Sequence, residues 1–239
     1  MIEFNNKYRS NQSEIMDDLD FQGDEMKNLL KDLKVVNKWL GGNNITIEGI
    51  QQLLKTLPKN KPIVILDVGC GDGEMLRICS DFAQKHNFTF ICIGIDFNHN
   101  ILALAEEKSR MYSNISFQNV DIFLGEKLVP NCDIALCTLF LHHFSNKEIE
   151  RFLNVLITKS RLGIVVNDLH RNKWAFNLFK IVSTLFLKTN TAKHDGLISI
   201  ARGFKKQELE TISKNIHYQK STIHWRWAYR YQWILKKNV

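Results

Sequence analysis

Apolar residues change their spacing along the chain near residue 60. Before that point, in residues 14–57, they recur every three or four positions, which is the spacing of one helix face. The clearest stripe comprises Met26, Leu29, Leu30, Leu33, Val36 and Leu40. Gly41-Gly42 is expected to end this helix, and Thr46 to cap a second helix that closes at Pro58. Residues 1–58 are therefore predicted to form a helical cap.

After residue 60 the pattern becomes one of short, continuous apolar runs that alternate with helix-like segments. The runs, typical of strands buried on both faces, are residues 62–68, 88–95, 115–120, 133–137 and 162–166. The helix-like segments are residues 74–86, 99–110 and 146–158. This alternation predicts an α/β fold, in which a mostly parallel sheet lies between two layers of helices. Right-handed crossovers would then place the carboxyl ends of the strands, where ligands bind, at one edge.

The last part of the chain has a different pattern. Residues 172–187 are predicted to be helical, 188–203 irregular and 205–214 helical, and two strands are expected at 216–223 and 225–235. Five alternate aromatic residues are expected to share one face and pack under a helix: Trp225, Trp227, Tyr229, Tyr231 and Trp233. We expect one domain, comprising the helical cap, a cofactor-binding core at 60–168, a substrate-covering lid at 169–204 and a terminal helix and hairpin at 205–239.

Composition narrows the class of protein. The 239 residues are 44% hydrophobic and 24% charged, which suits a globular domain, and the net charge of +7 is spread without an arginine-rich run. Five cysteines without a C-x-x-C pair favour reduced thiols over disulfides or zinc. The polar N-terminus does not resemble a signal peptide, and the apolar stretch 174–187 is too short to span a bilayer. We expect a cytoplasmic monomer or homodimer that binds no nucleic acid, and peripheral membrane contact stays open.

The strongest motif is a glycine turn directly after the first apolar run, Asp67-Val-Gly-Cys-Gly-Asp-Gly73. Its G-x-G-x-G spacing differs from the G-x-G-x-x-G of dinucleotide-binding proteins, which disfavours a dehydrogenase. Asp67 and Asp72 would repel a pyrophosphate, but they suit a ligand that carries an ammonium and a sulfonium. S-adenosylmethionine has both groups and no phosphate.

Further acidic residues follow the next two strands. Asp96 is placed to accept hydrogen bonds from ribose hydroxyls, and Asp121 from an adenine amino group with Ile122 against the ring. The complete predicted cofactor set is Asp67, Gly69, Cys70, Gly71, Asp96, Phe97, Asn98, Asp121, Ile122, Cys137 and Thr138.

These motifs, with residues 132–144, resemble those of the class I S-adenosylmethionine-dependent methyltransferases over about residues 60–168. The resemblance implies a Rossmann-like sheet of seven strands whose last strand is antiparallel, with S-adenosylhomocysteine as the product. Residues 16–18, 167–171, 194–196 and 202–204 resemble a bacterial small-molecule subgroup associated with polyketide, quinone or phenolic-lipid pathways.

Candidate catalytic groups lie at the same predicted edge. His142, His143 and His194 are candidate general bases, with Asp195 able to orient His194. The sequence places no carboxylate beside the histidine pair, so no metal is expected. The residues expected to contact substrate are His170, Arg171, Trp174 and Arg202. Arg171 could hold an acidic substrate group or Asp168, and Tyr8 and Arg9 are expected to close over the cofactor.

The predicted function is methyl transfer from S-adenosylmethionine to a small apolar acceptor, at the oxygen of a phenolic or quinol-like compound. Methylation of a carbon atom on an activated ring is the nearest alternative. An RNA methyltransferase is less favoured, because no basic stripe or Asn/Asp-Pro-Pro-Tyr/Phe motif is present. An inactive S-adenosylmethionine-binding protein is also less favoured, because the acidic residues of the motifs are intact.

Overall fold

The computed structural model describes residues 2–18, 20–55 and 61–237. The predicted end of the second helix at Pro58 lies outside these residues. Among the described residues, no helix has both the length and the apolar character needed to cross a bilayer.

A mixed sheet of seven strands forms the centre of the described structure. The strands are β1 (Ile63–Val68), β2 (Phe90–Asp96), β3 (Ile115–Asn119), β4 (Cys132–Thr138), β5 (Ser160–Leu169), β6 (Lys220–Arg226) and β7 (Arg230–Lys236). Their spatial order is β3-β2-β1-β4-β5-β7-β6, and strands β1 to β5 are parallel. Strand β7 runs antiparallel to both β5 and β6. The predicted fold class, including the antiparallel last strand, is confirmed.

Helices cover both faces of this sheet. They are α1 (Gly23–Trp39), α2 (Gly42–Leu54), α3 (Glu74–His86), α4 (His99–Lys108), α5 (Asn146–Lys159), α6 (Lys173–Phe186), α7 (Asn190–Arg202) and α8 (Lys206–Ser213). Short 3-10 turns occupy Ile15–Asp17, Glu126–Leu128 and Leu141–His143. Ile50 of α2 and Leu76 of α3 pack on one face, and Phe152 of α5 and Leu209 of α8 on the other. The result is the expected three-layer arrangement.

The boundaries of two helical segments differ from the prediction. Helix α2 begins at Gly42, so Thr46 lies inside the helix and does not cap it. The Thr46 hydroxyl instead accepts a hydrogen bond from Asn167 and lies 3.1 Å from the Thr138 hydroxyl, which ties α2 to the ends of β4 and β5. The segment 188–203 is not irregular, because Thr189 caps helix α7. Its polar first turns concealed the apolar side chains that α7 buries.

The aromatic run near the C-terminus does not form one strand. The chain reverses between β6 and β7 through Tyr229, whose φ of 56° is in the left-handed region. Trp225 and Trp227 are therefore exposed, whereas Tyr231 and Trp233 are buried in the core that includes α8. The turn escaped prediction because it contains neither glycine nor proline.

Helix α2 approaches β5 closely at Gly49, where an added Cβ would lie 2.5 Å from a methyl carbon of Val165. We expect Gly49→Ala to lower the free energy of unfolding by about 1–3 kcal/mol, because helix and strand would have to separate. Denaturant unfolding measures this change. Gln51→Ala, on the exposed side of α2, is the control and should change stability little. Equal stability of the two variants would contradict the close approach.

Candidate functional site

The glycine turn lies at the carboxyl end of β1 and leaves its backbone accessible. Gly69, Gly71 and Gly73 all have positive φ angles, between 53° and 75°. An added Cβ at Gly71 would meet no atom within 4 Å, so the space beside this residue is open. Gly73 forms the N-cap of α3. The turn can therefore bring a ligand against bare main chain, as the sequence predicts.

Two buried carboxylates adjoin this turn. The Asp96 carboxylate accepts hydrogen bonds from the main-chain N–H groups of Gly71 and Asn98, at 3.1 and 3.0 Å. Asp67 is only 2% exposed, and its burial, together with the nearby Asp96 charge, raises the pKa of Asp67 to about 8. Burial also raises the pKa of Asp96. Within the described residues, neither carboxylate forms a salt bridge. A cationic ligand would therefore supply the positively charged partner that both carboxylates lack.

Asp72 differs from these two residues. It is paired with Lys108, at 2.6 Å between Nζ and Oδ2, and with Arg77 at 3.5 Å. The sequence-based expectation that Asp72 attracts the ligand is therefore wrong, because two basic side chains already balance its charge. These cations come from α3 and α4, so the turn motif alone could not reveal them.

A cavity of about 160 Å³ opens beside the glycine turn and is called here the donor cavity. Its walls are Val68, Gly69, Ile95, Asp96, Phe97, Val120, Asp121, Ile122, Phe123, Phe140 and Phe144. Five of these belong to the predicted cofactor set, and the three aromatic residues Phe123, Phe140 and Phe144 do not. Apolar walls with carboxylates at the rim suit the flat base and the ribose of S-adenosylmethionine.

Four other residues of the predicted cofactor set have structural partners instead. Asn98 is buried and caps α4 through its side-chain oxygen, and the Thr138 hydroxyl faces Thr46. Cys70 is buried at the turn, and Cys137 is buried in the core between sheet and helices. Cys137 is 0% exposed and packs in this core, so a ligand contact of Cys137 stays a prediction.

The two adjacent histidines lie on the 3-10 turn after β4, where both rings face carboxylates. His142 Nδ1 lies 2.7 Å from Asp168 Oδ1, and His142 Nε2 lies 3.4 Å from Glu14 Oε1. His143 Nδ1 lies 2.8 Å from Asp17 Oδ1. The expectation that no carboxylate adjoins the pair is wrong, because Glu14 and Asp17 are distant in sequence and reach the histidines only through the fold.

The surroundings of His142 keep its imidazole protonated. Burial alone would lower its pKa, but Asp168 and Glu14 outweigh that effect and raise the pKa of His142 to about 9. A cationic imidazole cannot accept a proton, so the predicted role of His142 as a base is contradicted. Donor atoms of Glu14, His142 and His143 lie within 4.8 Å of one another, close enough to share a metal ion. Metal binding would require His142 to lose its proton, and the absence of a metal stays a prediction.

Residues 9–17, called here the N-terminal clasp, are fixed against the same turn. Arg9 donates to the main-chain oxygen of His142, and Arg202 donates to the same oxygen and to that of Gln12. The Asp195 carboxylate accepts from the main-chain N–H groups of Ile15 and Met16, at 2.9 and 3.0 Å. Arg202 is therefore an anchor of the clasp and not a substrate contact.

The third histidine lies at the edge of this clasp. His194 Nδ1 is 3.0 Å from Asp195, which is the predicted pairing, but the same carboxylate holds the clasp main chain. The imidazole of His194 is partly exposed and lines neither cavity. Tyr8, expected to close over the cofactor, is exposed.

A second cavity of about 210 Å³, called here the acceptor cavity, lies between α1, α6, α7 and the ends of β5 and β7. Its walls are Leu33, Val35, Val36, Asn37, Trp39, Leu40, Leu139, Leu169, His170, Ala175, Leu178, Phe179, Val182, Ser183, Phe186, Leu187, Gly196, Ser199, Ile200, Ala228, Tyr229 and Arg230. Most are apolar. Burial, then Lys205 and Arg171, lowers the pKa of His170 to about 4, so this wall histidine is neutral.

Two predicted substrate contacts lie elsewhere. Arg171 is 0% exposed, and its guanidinium binds the Glu208 carboxylate and the main-chain oxygen of Gly203, both at 2.6 Å. Neither a substrate nor Asp168 is its partner. Trp174 is 75% exposed on the outer side of α6, because Phe179 and Val182 occupy the side that faces the cavity. Arg230, which sequence reasoning missed, is the arginine that lines the acceptor cavity.

Comparison with known proteins agrees with this geometry. Residues 65–159 match the family model described as a methyltransferase domain. The fold resembles magnesium protoporphyrin IX methyltransferase from Synechocystis PCC 6803 with bound S-adenosylhomocysteine (18% identity, 87% of this chain and 86% of that chain, TM-score 0.56). It also resembles the plantazolicin methyltransferase, at 15% identity over 90% of this chain and 94% of that chain, with a TM-score of 0.64. A third similar structure is human N-acetylserotonin methyltransferase with S-adenosylmethionine, at 12% identity over 90% of this chain and 57% of that chain, with a TM-score of 0.61. At these identities the three structures support the fold.

The buried Asp67 carboxyl is expected to lower the stability of the free protein and to favour binding of the cationic ligand. A carboxyl whose pKa is raised on folding costs stability as the pH rises from about 4 to about 8. We therefore expect Asp67→Asn to raise the melting temperature of the free protein at pH 8 by about 2–4 °C and to do less at pH 5. The same variant should bind S-adenosylmethionine at least about tenfold more weakly in calorimetry.

Asp121→Asn is the stability control, because this carboxylate lies at the same edge but is exposed. Its melting temperature should follow that of the unsubstituted protein at both pH values. A pH-independent effect of Asp67→Asn would show that Asp67 is already ionised in the free protein.

Protonated His142 should stabilise the clasp over a defined pH range. Because its folded pKa of about 9 exceeds its ordinary value, the stabilisation is complete below about pH 6.5 and is lost as the pH rises through 9. We expect an NMR titration to give a pKa near 9 for His142 in the unsubstituted protein and a lower pKa for His142 in Asp168→Asn. The fall in unfolding free energy between pH 6.5 and 9 should also be smaller in that variant. A value at or below 6.5 in the unsubstituted protein would contradict the proposed charge state.

Proposed function

Because the chain is a class I S-adenosylmethionine-dependent methyltransferase, we propose that its acceptor is a small, largely apolar molecule methylated at a phenolic or quinol-like oxygen. The neighbouring structures include methyltransferases named for magnesium protoporphyrin IX, plantazolicin and N-acetylserotonin, so they do not fix the acceptor. The support for this proposal comes from the two cavities.

The observation that carries the proposal is the wall between these cavities. Leu139 lines the acceptor cavity, and the next residue, Phe140, lines the donor cavity. Leu139 has a φ of 52°, which is rare for a residue with a side chain. The Phe140 ring lies against Gly69, where an added Cβ would meet it at 2.1 Å. Because consecutive residues line the two cavities, a methyl donor at the glycine turn would lie beside an apolar compartment, which suits an apolar acceptor.

The donor cavity supplies groups that suit each part of the cofactor. Asp96 would accept hydrogen bonds from its ribose, and Asp121 and Ile122 border the space for the base. Asp67 is buried near Asp96 but is not one of the cavity walls, and its carboxylate would offset the positive charge of the cofactor. When bound, S-adenosylmethionine would supply an activated methyl group to the acceptor oxygen, with S-adenosylhomocysteine as the leaving group and the hydroxyl proton released to water. The contribution of the protein is then mainly to orient the acceptor oxygen, which can supply a large part of the rate enhancement.

His170 is the side chain that we propose as the partner of the acceptor hydroxyl. Its Nδ1 is buried and has no hydrogen-bond partner among the described residues, and the ring lines the acceptor cavity. A neutral imidazole can accept a hydrogen bond from a hydroxyl group and hold its oxygen lone pair toward the methyl group. His142 and His143 are less suited to this role, because Nδ1 of each ring lies within 2.8 Å of a carboxylate and neither residue lines a cavity.

Turnover of simple naphthols and alkylphenols with S-adenosylmethionine tests this proposal, with NMR to locate the new methyl group on oxygen. We expect His170→Phe to lower kcat/KM by about 10- to 100-fold, because it removes the hydrogen bond but keeps the ring that packs on Tyr231. Affinity for S-adenosylmethionine should not change. The control is His224→Phe on the exposed side of β6, which should keep full turnover.

Two results would count against the proposal. A methyl group found on a ring carbon would favour the alternative of carbon methylation. Full turnover in His170→Phe would remove His170 from the reaction.

A further inference from the structure

Arg230 is the one formally charged residue in the described walls of the acceptor cavity. It begins β7, where it is paired with Leu169 of β5 and with Arg226 of β6. The residue is only 3% exposed, although the cavity around it is otherwise lined mainly by aliphatic and aromatic side chains. A charge placed in such surroundings is costly unless a partner balances it.

The Arg230 guanidinium has one partner where it could have several. Its Nη2 donates to the side-chain oxygen of Asn37 at 2.6 Å. Its Nε and Nη1 atoms are buried, and neither has an acceptor among the described residues. A guanidinium carries five N–H donors, and leaving buried donors unpaired costs free energy for each of them. The unpaired nitrogens therefore indicate a missing acceptor.

The residues around the Arg230 guanidinium leave space for it but do not balance its charge. At Gly42 an added Cβ would lie 2.8 Å from the guanidinium carbon, so a side chain at this position would displace the guanidinium from where it lies. Gly42 is also the first residue of α2, and the positive end of a helix dipole disfavours a nearby cation.

The nearest influential carboxylate, Asp168, is already bound to His142 and to the Leu169 N–H. Burial lowers the pKa of Arg230 to about 10, with Asp168 opposing the change, so the side chain stays charged at neutral pH. The unpaired guanidinium nitrogens and the helix end therefore both favour an anion beside Arg230, and the described residues do not provide one.

We propose that Arg230 binds a carboxylate carried by the methyl acceptor, which makes the acceptor an amphipathic acid with an apolar body. The inference rests on the proposed function, because it assumes that the acceptor cavity holds the acceptor. A single guanidinium matches the single charge of a carboxylate, whereas a phosphate dianion would leave a charge unbalanced in apolar walls. His170 and Arg230 would then contact two different polar groups of one molecule.

Binding of a matched pair of compounds tests this inference without requiring turnover. The probes are 6-hydroxy-2-naphthoic acid and its carboxamide, which share one shape and differ in charge, each titrated calorimetrically into the protein saturated with S-adenosylhomocysteine. We expect the acid to bind about 10- to 100-fold more tightly than the amide. In Arg230→Gln this preference should disappear, and in Arg230→Lys part of it should remain.

The control is Arg226→Gln, which removes the arginine paired with Arg230 across the hairpin but outside the cavity walls. This variant should keep the full preference for the acid. Equal binding of acid and amide by the unsubstituted protein overturns the inference even where Arg230→Gln fails to fold. Retained preference in a folded Arg230→Gln protein overturns it as well.

The two proposals fail in different ways. Loss of all binding of S-adenosylmethionine and S-adenosylhomocysteine to the unsubstituted protein would contradict the proposed function, and the acid and amide can still be compared in that case. Tight cofactor binding without a preference for the acid would contradict only the role of Arg230.

Discussion

Burial of charge at the carboxyl edge of the sheet is the constraint that organises this molecule. Removing an ionised group from water costs several kcal/mol unless a partner compensates it, so each buried charge here requires an explanation. Some of these buried charges are balanced by oppositely charged residues of the same chain. His142 lies between Asp168 and Glu14, and Arg171 binds Glu208. These groups fasten the clasp and the terminal helix to the sheet, and their charges are used within the fold.

Other buried charges have no partner of this kind, and they lie where the two cavities open. Asp67 and Asp96 are buried carboxyl groups at the glycine turn, and the positively charged Arg230 lines the acceptor cavity. A chain that compensates its charges elsewhere leaves these uncompensated where a ligand can reach them. In the proposed function, a cationic donor would favour the carboxylates at the turn and an anionic acceptor would favour the guanidinium, which would keep the two ligands in separate cavities.

Sequence reasoning was effective where local pattern determines structure. The period of the apolar runs predicted the sheet, and the turn from Asp67 to Gly73 predicted the donor cavity, because both depend on neighbours in the sequence. It failed where a role depends on a partner from a distant segment. The partners of His142 and of Arg171 come from the N-terminal segment, β5 and α8. Sequence could not distinguish buried Arg171, whose charge is balanced by Glu208, from buried Arg230, which has no carboxylate partner among the described residues.

The two cavities also differ in where their walls come from. Every wall residue of the donor cavity falls within 65–159, the part that matches the methyltransferase family model. Of the acceptor cavity walls, only Leu139 falls within that range, and the others come from α1, α6, α7 and the ends of β5 and β7. In the proposed function, the part that matches the family model would hold the donor, and the segments outside it would form the acceptor compartment. Leu139 and Phe140 join the two parts, so a change of acceptor requires new helices around an unchanged donor cavity.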